Sequence, residues 1–209
     1  MIDAPVAARP PWWERRAEKR VLGGTDAQAI IGVPKYRTLA AIYDELVLGR
    51  QEERTKEQLR ALERGKREEP RVRAMYLEAC SEQVILRPAD LIIAHGQYDF
   101  ATCSPDDITV GGRLVEYKTV NRWSPDWKGG PPLHYLAQVL WNLWVMDLQE
   151  ADLWAAFGED KKNPETGEWE FPIRNSYRHR IVRDAEMDRR FEVLGEHFWR
   201  VHIIGRRRP

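Results

Sequence analysis

The spacing of apolar residues changes several times along the chain, and each change predicts a new element. Residues 1–11 are rich in Pro and Ala and predict a flexible or extended segment; a helical pattern begins near Trp12. Thr25 reads as an N-cap for the DAQAIIG that follows it, with Gly32 as the stop. Over 38–49 (TLAAIYDELVLG), Leu39, Ile42, Tyr43 and Leu46 fall on one helical face. Residues 54–81 are charged and helical in pattern, with an interruption predicted at Pro70, which lacks the amide a helix interior needs. Then the period shortens. VILRPADLIIAHGQYDFATC (84–103) predicts short strands turning at His95-Gly96. ITVGGRLVEYK (108–118) predicts a hairpin about Gly111-Gly112.

Residues 121–132 read as a loop, 133–147 as helix, 151–157 as a strand and 160–169 as a polar turn region. FPIRNSYRHRIV (171–182) suits one or two further strands. From Asp184 to about Ile204 a last helix carries Met187, Phe191, Leu194, Phe198 and Val201 at alternating spacings of four and three, the stripe of an amphipathic helix. This order predicts an α+β or mixed α/β fold, with a central sheet flanked by helices, as a single domain over 1–209.

Composition narrows this picture only slightly. The 33 basic and 33 acidic residues cancel, so any nucleic-acid surface must be a local patch. Cys80 and Cys103 have no CxxC spacing, which argues against a disulfide scaffold, an iron–sulfur cluster or a cysteine-rich zinc site. No run approaches the roughly 20 apolar residues that span a bilayer, and the N-terminus has no long apolar stretch. The expectation is a soluble, cytoplasmic protein with reduced thiols and no membrane partner.

The stretch SPDDITVGGRLVEYK (104–118) is where chemistry concentrates. Glu116 and Lys118 are two apart on a strand, so they share a face; Val115 and Tyr117 take the other. A hairpin closing at Gly111-Gly112 sets Asp106 across from them. Two carboxylates and an ammonium then converge, and a hard divalent cation removes the repulsion between the acids. Lys118 could orient a water, accept its proton with a depressed pKa, or stabilise charge at phosphorus. A solvated charged hairpin explains the same residues, since an E-x-K triplet is expected about once by chance in a chain this charged.

Pro105-Asp106 followed by Glu116-Tyr117-Lys118 resembles the PD-(D/E)xK nuclease signature. More specifically, the chain resembles the lambda exonuclease-like (YqaJ-type) phage recombination nucleases. LGGTDAQAIIG (22–32), RGKREEP (64–70), HYLAQVLWNLWV (134–145) and IVRD (181–184) match further motifs in order. The resemblance implies a PD-(D/E)xK-type mixed central sheet flanked by helices. It implies Asp106 and Glu116 as metal ligands, with the backbone carbonyl of Tyr117 and the carboxylate of Glu69 completing the environment. Lys118 would be the catalytic lysine, and Gln138 would sit by the scissile phosphate or its attacking water.

Ser104, Thr25 and an N-terminal arginine would form a 5′-phosphate pocket, with Trp12 beside it. Arg16 fits the family's Trp–Arg spacing, and Arg15 or Arg20 are alternatives because the gap to Thr25 is long. Asp107 stands where the family commonly has Gly, and either touches a metal or shapes the turn.

The implied activity is Mg²⁺-dependent 5′→3′ exodeoxyribonuclease action on double-stranded DNA ends. It would use two Mg²⁺ ions (Mn²⁺ able to substitute), release mononucleotides and leave a 3′ single strand for phage-type recombination in a bacterial host. The implied assembly is a homotrimeric ring, and the implied partner a phage single-strand annealing protein. A structure-specific endonuclease and a non-catalytic DNA-end-binding module are the alternatives.

Several residues also have plainer readings. Glu69 and Arg16 could be surface charges, Gln138 an ordinary helix polar residue and His134 a satisfied structural histidine. Trp141, Trp144, Trp154 and Trp199 are expected in the core, and the tail GRRRP as a frayed end.

Overall fold

A computed structural model of the protein describes residues 20–80, 84–85 and 91–209. A 3-10 turn (Gly24–Asp26) leads into the short helix α1 (Ala27–Ile30), followed by α2 (Leu39–Leu48) and the long α3 (Lys56–Cys80). The strands begin with β1 (Val84–Ile85), β2 (Ile93–Ala94), β3 (Thr102–Cys103), β4 (Asp107–Thr109) and β5 (Leu114–Asn121). Helix α4 (Leu133–Met146) connects β5 to β6 (Glu150–Gly158). A small hairpin, β7 (Lys161–Lys162) with β8 (Trp169–Glu170), precedes β9 (Ile173–Val182), and a C-terminal helix, α5, occupies 185–204.

The central sheet has the order β1-β4-β5-β6-β9. Only β5 and β6 pair in parallel, from Leu114↔Ala151 to Asn121↔Gly158; the other neighbours are antiparallel. A parallel pair needs a crossover, and α4 supplies it, so this helix must lie on one face of the sheet. Leu114, Leu153, Ala151 and Ile181 pack there against Val139 and Leu143 of α4. On the opposite face, Val115, Tyr117 and Trp154 pack against Val72 and Tyr76 of α3. The mixed sheet flanked by helices is the expected fold class. A third apolar cluster joins α1, α2, β3, α4 and α5 around Trp141, Trp144, Phe100 and Phe191.

Four local expectations are corrected. Pro70 does not interrupt α3, which continues through it. Burial of Arg64, Glu68, Val72 and Tyr76 along one face outweighs the missing amide. Thr25 is not an N-cap: it is the exposed middle residue of the 3-10 turn, and Asp26 reaches back to cap the Gly23 amide at 2.8 Å. In α5, Phe191, Gly195, Phe198 and Ile203 are buried, whereas Leu194 is 42% exposed and Val201 half-buried. Wider turns at Phe191–Gly195 and Trp199–Ile204 rotate the stripe away from regular spacing. The tail is docked on α2: Tyr43 donates to the Arg206 carbonyl at 3.1 Å, and Arg208 grips the Asp44 carboxylate at 2.9 and 3.2 Å. The four tryptophans behave as expected; Trp199 is half-buried and donates to the Arg20 carbonyl at 3.0 Å.

One buried charge ties α3 to β6, β9 and the turn before β5. Asp152 of β6 is fully buried; it accepts from Tyr76 Oη at 2.8 Å and Arg180 Nε at 3.0 Å. Arg178 Nη2 lies at 2.8 Å and Arg113 Nη1 at 3.5 Å. Burial alone would raise its pKa, but Arg178, the Tyr76 hydroxyl and Arg113 outweigh burial and hold it below the ordinary carboxylate value. We predict that Asp152→Ala costs about 3 kcal/mol or more at neutral pH, because it takes the acceptor from the Tyr76 hydroxyl and the shared carboxylate from three guanidinium groups, of which Arg113 and Arg180 keep Glu150. A carboxylate with a lowered folded pKa stabilises above its unfolded value near about 4, and loses that contribution as pH falls through the folded value. Urea unfolding should therefore show the gap between wild type and variant closing on acidification below about pH 4.

Candidate metal centre

Strand alternation sends Leu114, Glu116 and Lys118 toward α4, and Val115 and Tyr117 toward α3. The antiparallel register Asp107↔Val115 carries Asp106 to the level of Glu116. There, Asp106 Oδ2 accepts from the Tyr117 amide at 2.7 Å, which pins the carboxylate to the start of the hairpin.

Helix α4 covers the two acids with a pair of amides one turn apart. Gln138 Nε2 donates to Glu116 Oε1 at 2.6 Å, and Asn142 Nδ2 donates to Glu116 Oε2 at 3.4 Å. Lys118 Nζ donates to Glu116 Oε1 at 2.7 Å and to Gln138 Oε1 at 3.2 Å, and lies 5.2 Å from the Tyr135 ring centroid. Glu116 is only 2% exposed, so these donors supply the hydrogen bonds that water would otherwise give it.

The electrostatics of the site are unbalanced toward negative charge. Loss of solvation pushes the Asp106 pKa well above the ordinary carboxylate value, and the Glu116 charge pushes it further; Lys118 and the Tyr117 amide only partly offset them. The charge of Glu69 adds in the same direction. Burial alone would lower the Lys118 pKa, but Glu116 and Asp106 outweigh it and raise it. Lys118 is therefore a protonated ammonium in this arrangement, not the depressed-pKa base that the sequence left open.

The donor chemistry fits a hard divalent cation. Two carboxylates lie side by side at the end of the hairpin, and burial beside Glu116 makes a negative charge on Asp106 unfavourable until a cation answers it. Among the described residues no group of three His, Cys, Asp or Glu side chains gathers closely enough to chelate an ion. Mg²⁺ suits such a sparse site, since it commonly takes one or two carboxylates and fills its octahedron with water and phosphate oxygens.

The remaining candidates fall at various places. Glu69 is exposed on α3, and its charge is felt by Asp106 and Arg73. The buried carboxylate of that helix is its neighbour Glu68, already paired with Arg67 at 3.0 Å and Arg71 at 3.6 Å. Ser104 is exposed and donates to the Leu91 carbonyl at 3.0 Å. Thr25 is exposed on a turn that touches α4: a Cβ on its neighbour Gly24 would collide with the Asn142 side chain and sit 3.3 Å from Gln138 Cγ. Trp12, Arg15 and Arg16 lie outside the described residues.

Asp107 does not join Asp106. Being next along the strand, it points to the other face, where it accepts from Arg73 Nε at 2.5 Å and Tyr117 Oη at 2.9 Å. It shapes the hairpin from behind. His134 is buried edge-on to Tyr36, with ring centroids 5.0 Å apart; among the described residues its Nε2 has no hydrogen-bond partner, so it is packed as a structural residue but not satisfied by them. Asn142, which the sequence places one turn from Gln138 on a mixed face that could border a cleft, is the site residue to which sequence reasoning gave no role. Its spacing of four from Gln138 was the available signal, because that spacing repeats a helical face.

The sequence profile of the YqaJ-like viral recombinase domain matches residues 11–149. The chain belongs to this family. Its matched span includes the 3-10 turn, the acidic hairpin and all of α4, the elements that build the candidate site. The fold of this YqaJ-like chain is also that of solved nucleases. An alkaline exonuclease, LHK-Exo from Laribacter hongkongensis, superposes with a TM-score of 0.65 at 19% identity, covering 93% of this chain and 95% of that one. LHK-Exo in complex with dAMP gives 0.61 at 20%, covering 92% and 97%. A phage-related exonuclease from Haemophilus somnus 129PT gives 0.62 at 11%, covering 90% and 96%. No curated protein sequence matches the chain significantly.

The unbalanced pair predicts a trade between stability and metal binding. Asp106→Asn keeps an acceptor for the Tyr117 amide and removes the disfavoured charge. In EDTA at neutral pH this variant should unfold at a higher urea concentration than wild type, by about 1 kcal/mol, while losing the stabilisation that added Mg²⁺ gives wild type. A lower midpoint in EDTA would contradict the charge imbalance.

Proposed function

We propose that the protein is a divalent-metal-dependent exodeoxyribonuclease that degrades one strand of duplex DNA from its 5′ end. The observation that carries this reading is the convergence of Asp106, Glu116, Lys118 and Gln138 at one point, in a chain of the YqaJ-like family. The neighbours of like fold described as exonucleases support it.

Asp106 and Glu116 would hold Mg²⁺, with the Tyr117 carbonyl and the nearby charge of Glu69 as further contributors; two ions are proposed, and Mn²⁺ as a substitute. The ion would polarise a phosphodiester oxygen and make a water acidic enough to attack at neutral pH. Lys118, fixed as an ammonium, neutralises charge that grows on the phosphoryl oxygens in the transition state. Gln138 is held through its Nε2 by Glu116, which leaves its Oε1 beside Lys118 as an acceptor to aim the attacking water.

Water oxygen bonds to phosphorus as the bond to the 3′ oxygen breaks, and that oxygen takes a proton. The terminal nucleotide leaves with a 3′ hydroxyl, and the next one inherits a 5′ phosphate. Each turnover thus recreates the end that the next requires. Thr25 and Ser104, both with exposed hydroxyls, would bind that phosphate together with an N-terminal arginine, Arg16 by motif spacing, and with Trp12 beside it. Such contacts carry no sequence preference. A homotrimeric ring around DNA, a phage single-strand annealing protein as partner and a bacterial cytoplasmic setting complete the proposal.

The test is a 5′-phosphorylated duplex with Mg²⁺. Mononucleotides released from the 5′ end are the expected product; discrete internal fragments would indicate an endonuclease instead. Lys118→Ala and Asp106→Ala should each lower the rate by about a thousandfold or more while duplex binding persists. Unchanged hydrolysis by Lys118→Ala would remove the lysine from the mechanism.

A further inference from the structure

The Asn142 side chain lies between two parts of the candidate site that sequence separates widely. It is 1% exposed, and its Nδ2 donates to Glu116 Oε2 at 3.4 Å. Among the described residues its buried Oδ1 has no hydrogen-bond partner, and it faces Gly24 so closely that a Cβ there could not fit. Flipping the amide would not help, because it would set an oxygen against the Glu116 carboxylate. A buried orphan acceptor costs free energy, so the residue is not explained by packing alone.

We propose that Asn142 is a positioning residue that aims Glu116 at the divalent ion, and that Gly24 is glycine so that the turn carrying Thr25 can seat against it. This rests on the metal-centre reading above and deepens it. Gln138 and Lys118 both bind Oε1 of Glu116, so Asn142 is the side chain seen to fix the second oxygen. The same contact sets the height of the 23–26 turn over the acids, and so the distance from a phosphate on that turn to the ion. Gly24 has no left-handed φ, so its backbone tolerates alanine; the collision with Asn142 is the main penalty on a side chain, with a lesser tight contact at 3.3 Å to the flexible Gln138 Cγ.

The experiment is calorimetric titration of the DNA-free protein with Mn²⁺. Asn142→Leu keeps the volume and removes the amide; Asn142→Ala removes both. Each should weaken Mn²⁺ binding by about tenfold or more, the usual effect of losing a group that orients a ligand. Asn142→Leu, the better packed of the two, should keep its unfolding midpoint in EDTA close to wild type. Gly24→Ala should weaken Mn²⁺ binding in the wild-type background, yet add little to Asn142→Ala, where the obstructing amide is gone. Wild-type affinity in Asn142→Leu overturns the positioning role, and fully additive losses in the double variant overturn the link to Gly24. Should wild type itself bind no Mn²⁺, the metal-centre reading fails and this inference with it.

Discussion

The structure is organised around satisfying one buried carboxylate. Glu116 is almost wholly removed from water, and a buried carboxylate without hydrogen-bond donors is costly. Gln138, Asn142 and Lys118 supply three donors to its two oxygens. Two of the three come from α4, which is the crossover that a parallel β5–β6 pair demands. Fold and site are therefore the same arrangement: the helix that makes the sheet topology possible also solvates the acid.

A second acid system sits on the other face, and the two have opposite characters. Asp107 and Asp152 are buried against arginines and tyrosine hydroxyls beneath α3. Their charges are fully answered and their role is to hold strands together. Asp106 and Glu116 share a single ammonium and remain short of positive charge. Strand pleating separates the two systems, since neighbours along a strand face opposite sides. A one-residue slip of β4 would exchange Asp106 for Asp107 and place the wrong acid in each.

The sequence made much of this legible, because periods of two and 3.6 are local properties. The hairpin about Gly111-Gly112, the shared face of Glu116 and Lys118, and the helix bearing Gln138 all follow from them. What stayed hidden depends on distant contacts. Thr25 looks like a cap until Asp26 is seen to take that task, and Pro70 looks like a break until the burial of α3 is known. The stripe on α5 misleads at Leu194 because wide turns change its period. The sequence puts Asn142 on the face of Gln138, but its role stayed hidden because its partners lie 26 positions away at Glu116 and far upstream at Gly24.

The parallel pairing of β5 with β6 also bears on when the protein can act. Residues 106–118 leave the ribosome first, but their acids have no helix to shelter under until 133–146 has been made. That helix in turn has no sheet to close over until β6 joins the edge of β5. Synthesis therefore passes through an interval in which the acidic hairpin has its own Lys118 and Tyr117 amide but not the two amides of α4. An unfinished chain thus holds the two acids only half enclosed.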